Sequence, residues 1–355
     1  MIRRIKHLLI PFYQRAATLR GGRTFVREGD RPTAFLLLTP DYGNIGDLAI
    51  GVAEAKYLER TIPGYDVVSI PLAETYAWLR SIKTRSREGD LVFLVGGGST
   101  GDLYPRAHFG RVFVIRYLRK LPMISFPQSI IYSSDDAKRV FGRREGAAFQ
   151  RHSSLRLFVR ERTSMKIMRE IFDGEVGFSP DIVLSMTGLG DEHEQRSHAL
   201  LVLRGDSERA LSEADHEEIL AAAGAVSESV VFQDHEVAYD PSGDASPAEV
   251  VDTMMDRYRR ARVVVTDRLH GMIFAAVTRT PCVVLPNSNH KITGTYEDWL
   301  KDACPFIRFA DGRDAKSLRR VIDEAMVAGR AEVRPPQLDF SQMDAAVAEF
   351  ALRKD

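Results

Sequence analysis

An arginine and a histidine stand together near residue 270, where they could hold and protonate an anionic substrate. They lie in the segment T-D-R-L-H-G at residues 266–271, which follows the apolar run 263–265 and opens an apolar helical pattern. A strand end that leads into a helix presents backbone amide dipoles, and an arginine there adds a fixed guanidinium. The spacing therefore predicts that Arg268, Leu269 and His270 bind a phosphorylated or carboxylated small molecule. A lone histidine is more often structural than catalytic, and it is the neighbouring arginine that favours a functional role for His270.

Three further cations end apolar segments in the second half of the chain: Arg160, Arg204 and Lys291. Each one alone would be interpreted as a surface residue of an ion pair. Several cations that converge with His270 on one sheet edge would need an anionic ligand, because unpaired charges are costly to desolvate. We therefore predict one anion site that uses these residues together with Arg268.

Two glycine-rich loops and a glutamine follow strand patterns in the first half. Residues 41–47 read D-Y-G-N-I-G-D, in which the glycines permit close backbone approach and Asn44 and Asp47 can bind hydroxyl groups. The turn at 96–98, centred on Gly97, follows one apolar run, and Gln128 follows the next. The alternatives are a tight turn with a helix-capping Asp47, and a Gln128 that makes only local hydrogen bonds. The loop at 41–47 has neither the G-x-G-x-x-G spacing of a dinucleotide site nor the spacing of a P-loop.

The elements that must position these residues alternate between strand and helix patterns. Such alternation predicts an α/β fold with parallel sheets. The chain has 355 residues with 44% hydrophobic and 28% charged content, which favours two soluble globular domains. We place their boundary in the polar stretch 143–154. This gives a basic amphipathic segment at 1–30, domains at 31–150 and 151–335, and a C-terminal helix at 336–355.

Composition excludes several functional classes. The 49 basic residues balance 49 acidic ones, so there is no global basic field of the kind that nucleic-acid binding requires. Cys282 and Cys304 have neither disulfide nor zinc-site spacing, which favours a reducing, cytoplasmic setting. The longest apolar runs fall far short of the roughly 18 residues that span a bilayer.

Residues 1–27 interleave basic and apolar side chains. This pattern favours a helix that packs on its own domain, and the alternative is a helix that rests on an anionic membrane surface. Pro11 interrupts the apolar run and no small-residue cleavage site follows, so the segment is not typical of a signal peptide.

Six short motifs, in this order, make residues 34–300 resemble the polysaccharide pyruvyl transferases, which form pyruvate ketals on bacterial and yeast glycans from phosphoenolpyruvate. They are G-N-I-G-D at 43–47, G-G-G at 96–98, F-P-Q-S at 126–129, R-E-x-x-S at 160–164, S-P-D at 179–181 and D-R-L-H-G at 267–271. Glu161 stands where the family often has aspartate, a departure that leaves Arg160 intact.

The resemblance implies two Rossmann-like domains in a GT-B-like arrangement, with an acceptor side on the first domain and a phosphoenolpyruvate side on the second. Combined with the positions above, it gives a phosphoenolpyruvate-binding set of Arg160, Arg204, Arg268, Leu269, His270 and Lys291, in which Arg160, Arg268 and His270 are catalytic. The acceptor-binding set is Asn44, Asp47, Gly97 and Gln128.

The implied chemistry needs no metal and no cofactor beyond phosphoenolpyruvate as donor. His270 would protonate C3, the cations would stabilise the departing phosphate, and two sugar hydroxyls would close a ketal at C2. Asp47 and Asn44, across the cleft, would orient or deprotonate a sugar acceptor, which could be a lipid-linked oligosaccharide of exopolysaccharide or cell-envelope synthesis.

Two other functions remain open from the sequence. A GT-B glycosyltransferase would share the phosphate-binding residues but use a nucleotide-sugar donor. A non-catalytic glycan-binding scaffold would bind without turnover. Dependence on phosphoenolpyruvate separates the three hypotheses.

Overall fold

The computed structural model describes residues 2–186, 196–205, 211–285, 290–310, 312–330 and 337–352, with the side chains of 2–9 and 330 excepted. The chain divides into two compact units. The first comprises Met1–Asp41, Ile50–Ile182 and Asp339–Asp355, and the second comprises Tyr42–Ala49 and Val183–Leu338. Among the described helices, none combines the length and the apolar character that crossing a bilayer would need.

The first unit is built on a parallel sheet of seven strands in the order β2-β1-β3-β5-β6-β7, with β4 paired to β5. The strands are β1 (Thr33–Thr39), β2 (Asp66–Pro71), β3 (Leu91–Leu94), β4 (Gly97–Gly101), β5 (Met123–Ile131), β6 (Leu155–Val159) and β7 (Val176–Phe178). All seven residues of β1 are buried, as expected for a parallel strand covered on both faces.

Helices of the first unit are α1 (Ile2–Arg20), most of α2 (Ile45–Thr61), α3 (Thr75–Arg85), α4 (Pro105–Tyr117), α5 (Asp135–Ala137), α6 (Arg143–Phe149) and α7 (Arg162–Ile171). A π-helical turn at Lys138–Gly142 joins α5 to α6.

The second unit has a parallel sheet of five strands in the order β12-β11-β10-β8-β9. Its strands are β8 (His198–Val202), β9 (Val230–Phe232), β10 (Ala261–Thr266), β11 (Cys282–Val284) and β12 (Ile307–Phe309), and its helices are α8 (Glu213–Gly224), α9 (Pro247–Arg259), α10 (Leu269–Val277), α11 (His290–Thr295) and α12 (Ala315–Arg330). Side chains of β8, β10 and β11 pack with those of α8 and α12 in one buried cluster. The predicted α/β fold with two parallel sheets is confirmed.

The boundary between the units differs from the expected one at residue 150. Strand β6 pairs in parallel with β5, and β7 extends the same sheet, so residues 155–182 belong to the first unit. The polar stretch that suggested a linker forms α6 instead.

The predicted C-terminal helix is α13 (Ser341–Leu352), which also belongs to the first unit. Its buried side chains include Met343, Val347 and Phe350, and Asp344 accepts a hydrogen bond from Tyr57.

Candidate active site

The candidate site lies where the strand order of the second sheet reverses. From β8 the chain continues to β9 on one side, whereas β10, β11 and β12 extend the sheet on the other. Ligands of open parallel sheets bind at such a switch point, beyond the carboxyl ends of the strands. Arg204 follows β8, and Arg268 and His270 follow β10, so all three leave the sheet at this point. The strand-end argument from sequence therefore placed them together correctly.

Arg268 is held firmly at the start of α10. Its backbone N–H donates to Thr266 Oγ1 at 3.0 Å, and that hydroxyl donates in turn to the carbonyl of Val202 at 2.7 Å. The buried guanidinium donates to Asp234 Oδ1 at 2.9 Å. These contacts fix both the backbone and the charged head of Arg268. Leu269, the first residue of α10, is buried.

His270 is the second residue of α10 and is half-buried. Its ring centroid lies 6.0 Å from that of Phe274, one turn further along the helix. On another side it abuts Gly46, because a Cβ atom added to that glycine would lie 2.4 Å from His270 Nδ1. The imidazole is therefore confined by a neighbour that has no side chain.

The G-N-I-G-D loop belongs to the second unit. The sequence analysis had placed it in the first domain, on the acceptor side, and this placement is wrong. Its backbone pairs with the segment after β9: Ile45 N–H donates to His235 O at 2.9 Å, and Val237 N–H donates to Gly43 O at 2.6 Å. A Cβ at Gly43 would lie 2.0 Å from that same valine's carbonyl oxygen. Glycine is required at this position by the close approach of two backbones.

Two polar side chains of this loop have local partners. Asn44 Oδ1 accepts from the backbone N–H of Asp47 at 3.1 Å and so caps α2, while Asn44 Nδ2 donates to Glu236 Oε1 at 3.0 Å. The half-buried carboxylate of Asp47 accepts from the hydroxyl of Tyr42 at 3.1 Å. The capping residue is thus Asn44, whereas the alternative interpretation had assigned the cap to Asp47.

A second histidine, His235, lies at the same switch point and was missed by the sequence analysis. It is buried and its Nε2 lies 2.9 Å from Tyr258 Oη. Burial lowers its pKa well below the usual value, and the positive charges of Arg268, His270 and Arg204 lower this pKa further. His235 therefore reports a region of concentrated positive potential. The run Asp234-His235-Glu236 after an apolar strand pattern was the available signal.

The acidic residue of the D-R-L-H-G motif, Asp267, has a structural role. Asp267 is buried and its Oδ1 accepts the backbone N–H of Arg204 at 2.9 Å, which ties the ends of β8 and β10 together. Burial raises the pKa of Asp267, and the hydrogen bond and charge of Arg204 oppose that rise.

Lys291 lies in α11, which follows β11, the strand beside β10. Its side chain is half-buried. Residues 286–289, which connect it to the sheet, are outside the described part of the chain. The structure thus places Lys291 in the same unit as Arg268 and His270.

Arg160 belongs to the first unit, although the sequence analysis grouped it with the second domain. The reason is that β6, which it follows, pairs with β5 of the first sheet. Arg160 is 1% exposed, and its guanidinium donates to Asp181 and, through Nε, to Ser129 Oγ at 2.7 Å. This charge is neutralised by a neighbouring carboxylate within the first unit.

The remaining predicted residues, Gly97 and Gln128, also lie in the first unit. Gly97 begins β4 with a φ of 105°, a value that favours glycine. Gln128 is buried, accepts from Thr100 Oγ1 at 3.0 Å and donates to the carbonyl of Val95 at 2.7 Å. Both ends of the Gln128 amide are engaged in holding β4 beside the sheet.

The first unit contains a buried carboxyl group that sequence reasoning missed. Glu54 of α2 accepts the backbone N–H of Gly96 at 2.6 Å, where the chain leaves β3. Burial raises its pKa well above the ordinary value, and the buried guanidinium of Arg111 opposes this effect. A glutamate inside a helical pattern carries no signal for this role, since most such residues face solvent.

No group of three or more histidine, cysteine, aspartate or glutamate side chains in the described residues has the arrangement of a metal site. The carboxylates of Asp234 and Asp267 lie at the switch point of the second sheet, where they bond to Arg268 and to the backbone of Arg204. The other groups there include the cations Arg204 and Arg268 and the backbone amides at the start of α10. Such groups hold anions, and together with an imidazole they can also supply a proton.

Comparisons with known proteins agree with the motifs. The sequence model of the polysaccharide pyruvyl transferase family matches residues 44–289. Pyruvyl transferase 1 of Schizosaccharomyces pombe is 30% identical over 278 residues, covering 74% of this chain and 68% of that protein. General stress protein 30 of Bacillus subtilis is 31% identical over 317 residues, covering 88% and 89%.

Among solved structures, that of an uncharacterised protein of Klebsiella pneumoniae has a TM-score of 0.55 and 18% identity, covering 86% of this chain and 98% of that one. This likeness shows a shared fold. The family match covers most of the chain and contains the residues of the candidate site except Gly43 and Lys291. The protein therefore belongs to the polysaccharide pyruvyl transferase family.

Proposed function

We propose that this protein transfers the enolpyruvyl group of phosphoenolpyruvate to two hydroxyls of one sugar, forming a pyruvate ketal in exopolysaccharide or cell-envelope glycan synthesis. The observation that carries the proposal is the convergence of Arg204, Arg268 and His270 at the switch point of the second sheet. Arg204, Arg268 and His270 all act on the buried His235 there. Perturbed titration at a strand-end crevice is typical of a functional site.

The negative charge of phosphoenolpyruvate, the proposed donor, complements these cations. The phosphate and carboxylate groups of phosphoenolpyruvate together carry about three negative charges near neutral pH. In the proposal, Arg204, Arg268 and Lys291 bind them with the backbone amides at the start of α10, of which Leu269 supplies one. Arg160 is left out of this donor site because its guanidinium is buried against Asp181.

His270 is the proposed general acid. His235 is excluded from that role because its lowered pKa keeps it neutral at neutral pH. His270 is half-buried and sits at the helix start beside Arg268, where a bound anion would favour its protonated form.

The reaction balances without a further reactant. His270 gives a proton to C3, and one sugar hydroxyl attacks C2 and loses its proton. The C2–O bond to phosphate breaks, and the second hydroxyl attacks C2 and loses its proton in turn. Of the two hydroxyl protons, one returns to His270 and the other leaves on hydrogen phosphate. The products are the ketal and phosphate, while Arg268 stabilises the charge that develops on the leaving group.

For the acceptor we assign Asp47 as the group that orients or deprotonates a sugar hydroxyl. Its carboxylate is half-buried and adjoins Gly46, which touches His270. Asn44 acts indirectly, because its side chain caps α2 and bonds to Glu236. Gly97 and Gln128 belong to the first unit, where they pair β4 with β5, and no acceptor role is assigned to them here.

The test measures phosphate release from phosphoenolpyruvate with a panel of simple and lipid-linked glycosides, together with the mass of the product. Wild type should release phosphate only when an acceptor is present, and the acceptor should gain the mass of pyruvate less water. His270→Ala should abolish this release. His216→Ala, at a half-buried histidine on α8, is the matched control and should remain active.

Two results would contradict the proposal. One is full activity of His270→Ala alongside an active wild type. The other is an absence of phosphate release with every glycoside in the panel, combined with stabilisation of the protein by sugar nucleotides. That result would favour glycosyl transfer.

A further inference from the structure

The described second half of helix α1 presents an apolar stripe outward. Phe12 is 68% exposed and Leu19 is 73% exposed, and Ala16 between them is also exposed. Ala16 and Leu19 follow Phe12 by four and seven residues, so the three side chains lie on one face of the helix. An apolar stripe that faces water is unusual for a helix of a soluble unit, in which the apolar face normally packs inward.

The opposite face of α1 is polar and buried. Gln14 and Thr18 are buried, and Gln14 Nε2 donates to Tyr76 Oη of α3 at 3.0 Å. Just beyond the helix, Phe25 is buried and its N–H donates to Ser81 Oγ at 2.7 Å. These contacts fix the helix to the first unit by its polar side. The stripe is therefore held outward by packing.

The charge around the stripe is uniformly positive. Arg15 and Arg20 are exposed on its two sides, and in the described part of the chain neither forms an ion pair. The sequence of α1 contains five arginines and lysines and no acidic residue, although the whole chain has zero net charge. An apolar stripe bordered by cations complements a surface with an apolar interior and anionic headgroups.

We propose that α1 is a membrane-docking helix that lies in the interface of a bilayer containing anionic phospholipid. Phe12, Ala16 and Leu19 enter the boundary between headgroups and acyl chains, while Arg15 and Arg20 contact phosphate groups. The proposal is independent of the reaction assigned above, since no residue of α1 belongs to the candidate active site.

The experiment is co-sedimentation of the full chain with large unilamellar vesicles of phosphatidylcholine alone or mixed with phosphatidylglycerol. Wild type should sediment with the anionic vesicles, less so at high salt, and remain in solution with phosphatidylcholine. The double variant Phe12→Gln/Leu19→Gln should bind the anionic vesicles at least about tenfold more weakly, because it removes most of the apolar contact. Arg15→Gln/Arg20→Gln should also weaken binding, by about tenfold or more at low salt.

Matched controls come from helices elsewhere. Val327→Gln/Leu352→Gln removes two residues that are 67% and 79% exposed, and Arg319→Gln/Arg320→Gln removes two exposed arginines of α12. Both should bind as wild type does. All altered side chains are exposed, so circular dichroism and melting should be unchanged in every variant.

Three results would overturn the proposal. The first is wild-type protein that stays in solution with both kinds of vesicle. The second is equal loss of binding in the control variants. The third is a lipid-free dimer that Phe12→Gln/Leu19→Gln converts to a monomer, which would show that a second copy of the chain covers the stripe.

Discussion

Replacing Gly46 by alanine should displace His270. The added Cβ would lie 2.4 Å from Nδ1, 2.6 Å from Cγ and 2.9 Å from Cβ of the histidine. Ordinary contacts between such atoms begin near roughly 3.5 Å, so the imidazole must retreat by about 1 Å. Rotation about χ1 alone does not relieve the overlap, because the histidine Cβ itself is too close.

The expected loss is larger in catalysis than in stability. A displacement of about 1 Å at a reacting group can cost about a hundredfold in rate, so kcat for acceptor-dependent phosphate release should fall by that order. Overpacking costs about 1–3 kcal/mol, whereas glycine-to-alanine in a helix gains up to about 1 kcal/mol. The free energy of unfolding should therefore fall by only about 1 kcal/mol. The KM for phosphoenolpyruvate should change little, since the three atoms nearest to the added Cβ all belong to His270.

Kinetics, denaturant unfolding and the NMR resonances of the His270 imidazole test this prediction together. Gly64→Ala is the matched control, because nothing lies within 4 Å of a Cβ at that position. The reasoning fails if Gly46→Ala keeps wild-type kcat and unchanged imidazole resonances. If the resonances move but no phosphoenolpyruvate-dependent activity exists in wild type, the geometry stands and the proposed reaction does not.

Three further outcomes are expected. Arg268→Gln should weaken phosphoenolpyruvate binding about a hundredfold. Asp234→Asn should strengthen this binding about fivefold, because it removes a negative charge beside Arg268. Calorimetric titration measures both changes in affinity, and weaker binding to Asp234→Asn would contradict the second expectation. Burial lowers the pKa of His152 to about 4. The folded chain then binds fewer protons than the unfolded one, and stability should fall by about 2 kcal/mol from pH 7 to 5 through this group. His152→Gln should flatten that part of the urea-unfolding profile, and an unaltered profile would refute the assignment. Tyr57→Phe removes the hydrogen bond to Asp344 and should cost about 2 kcal/mol and speed proteolysis of α13, whereas unchanged cleavage would contradict it.

The grouping of three cationic side chains of the second unit could be predicted from the sequence because it depends on local features. Arg204, Arg268 and His270 each follow directly after an apolar strand, and the ends of neighbouring parallel strands must share one edge of a sheet. Alternation of strands and helices also sufficed for the α/β class, since burial on both faces produces continuous apolar runs.

Residues whose surroundings depend on the division into units were harder to predict. Arg160 follows an apolar strand like the others, but nothing local to it reveals that β6 pairs with β5. Pairing between strands is a long-range choice, whereas the polar stretch before β6 favoured a domain boundary. His235 was missed for a different reason. Its pKa is set by burial and by three charges distant in sequence, and none of these is visible in a short window.

The G-N-I-G-D loop shows why a motif can be recognised without revealing what its residues do. The sequence suggested that its glycines admit a ligand and that Asn44 binds an acceptor. In the structure, Gly43 admits the backbone of Val237, Gly46 admits the imidazole of His270, and Asn44 caps α2. In each case the partner is another part of the protein within the second unit, and not a ligand. The spacing of the motif therefore follows from the surface against which the loop packs. Asp47, whose side chain is half-buried, is the motif residue that we propose to face the acceptor, and Gly46 fixes the position of the His270 imidazole.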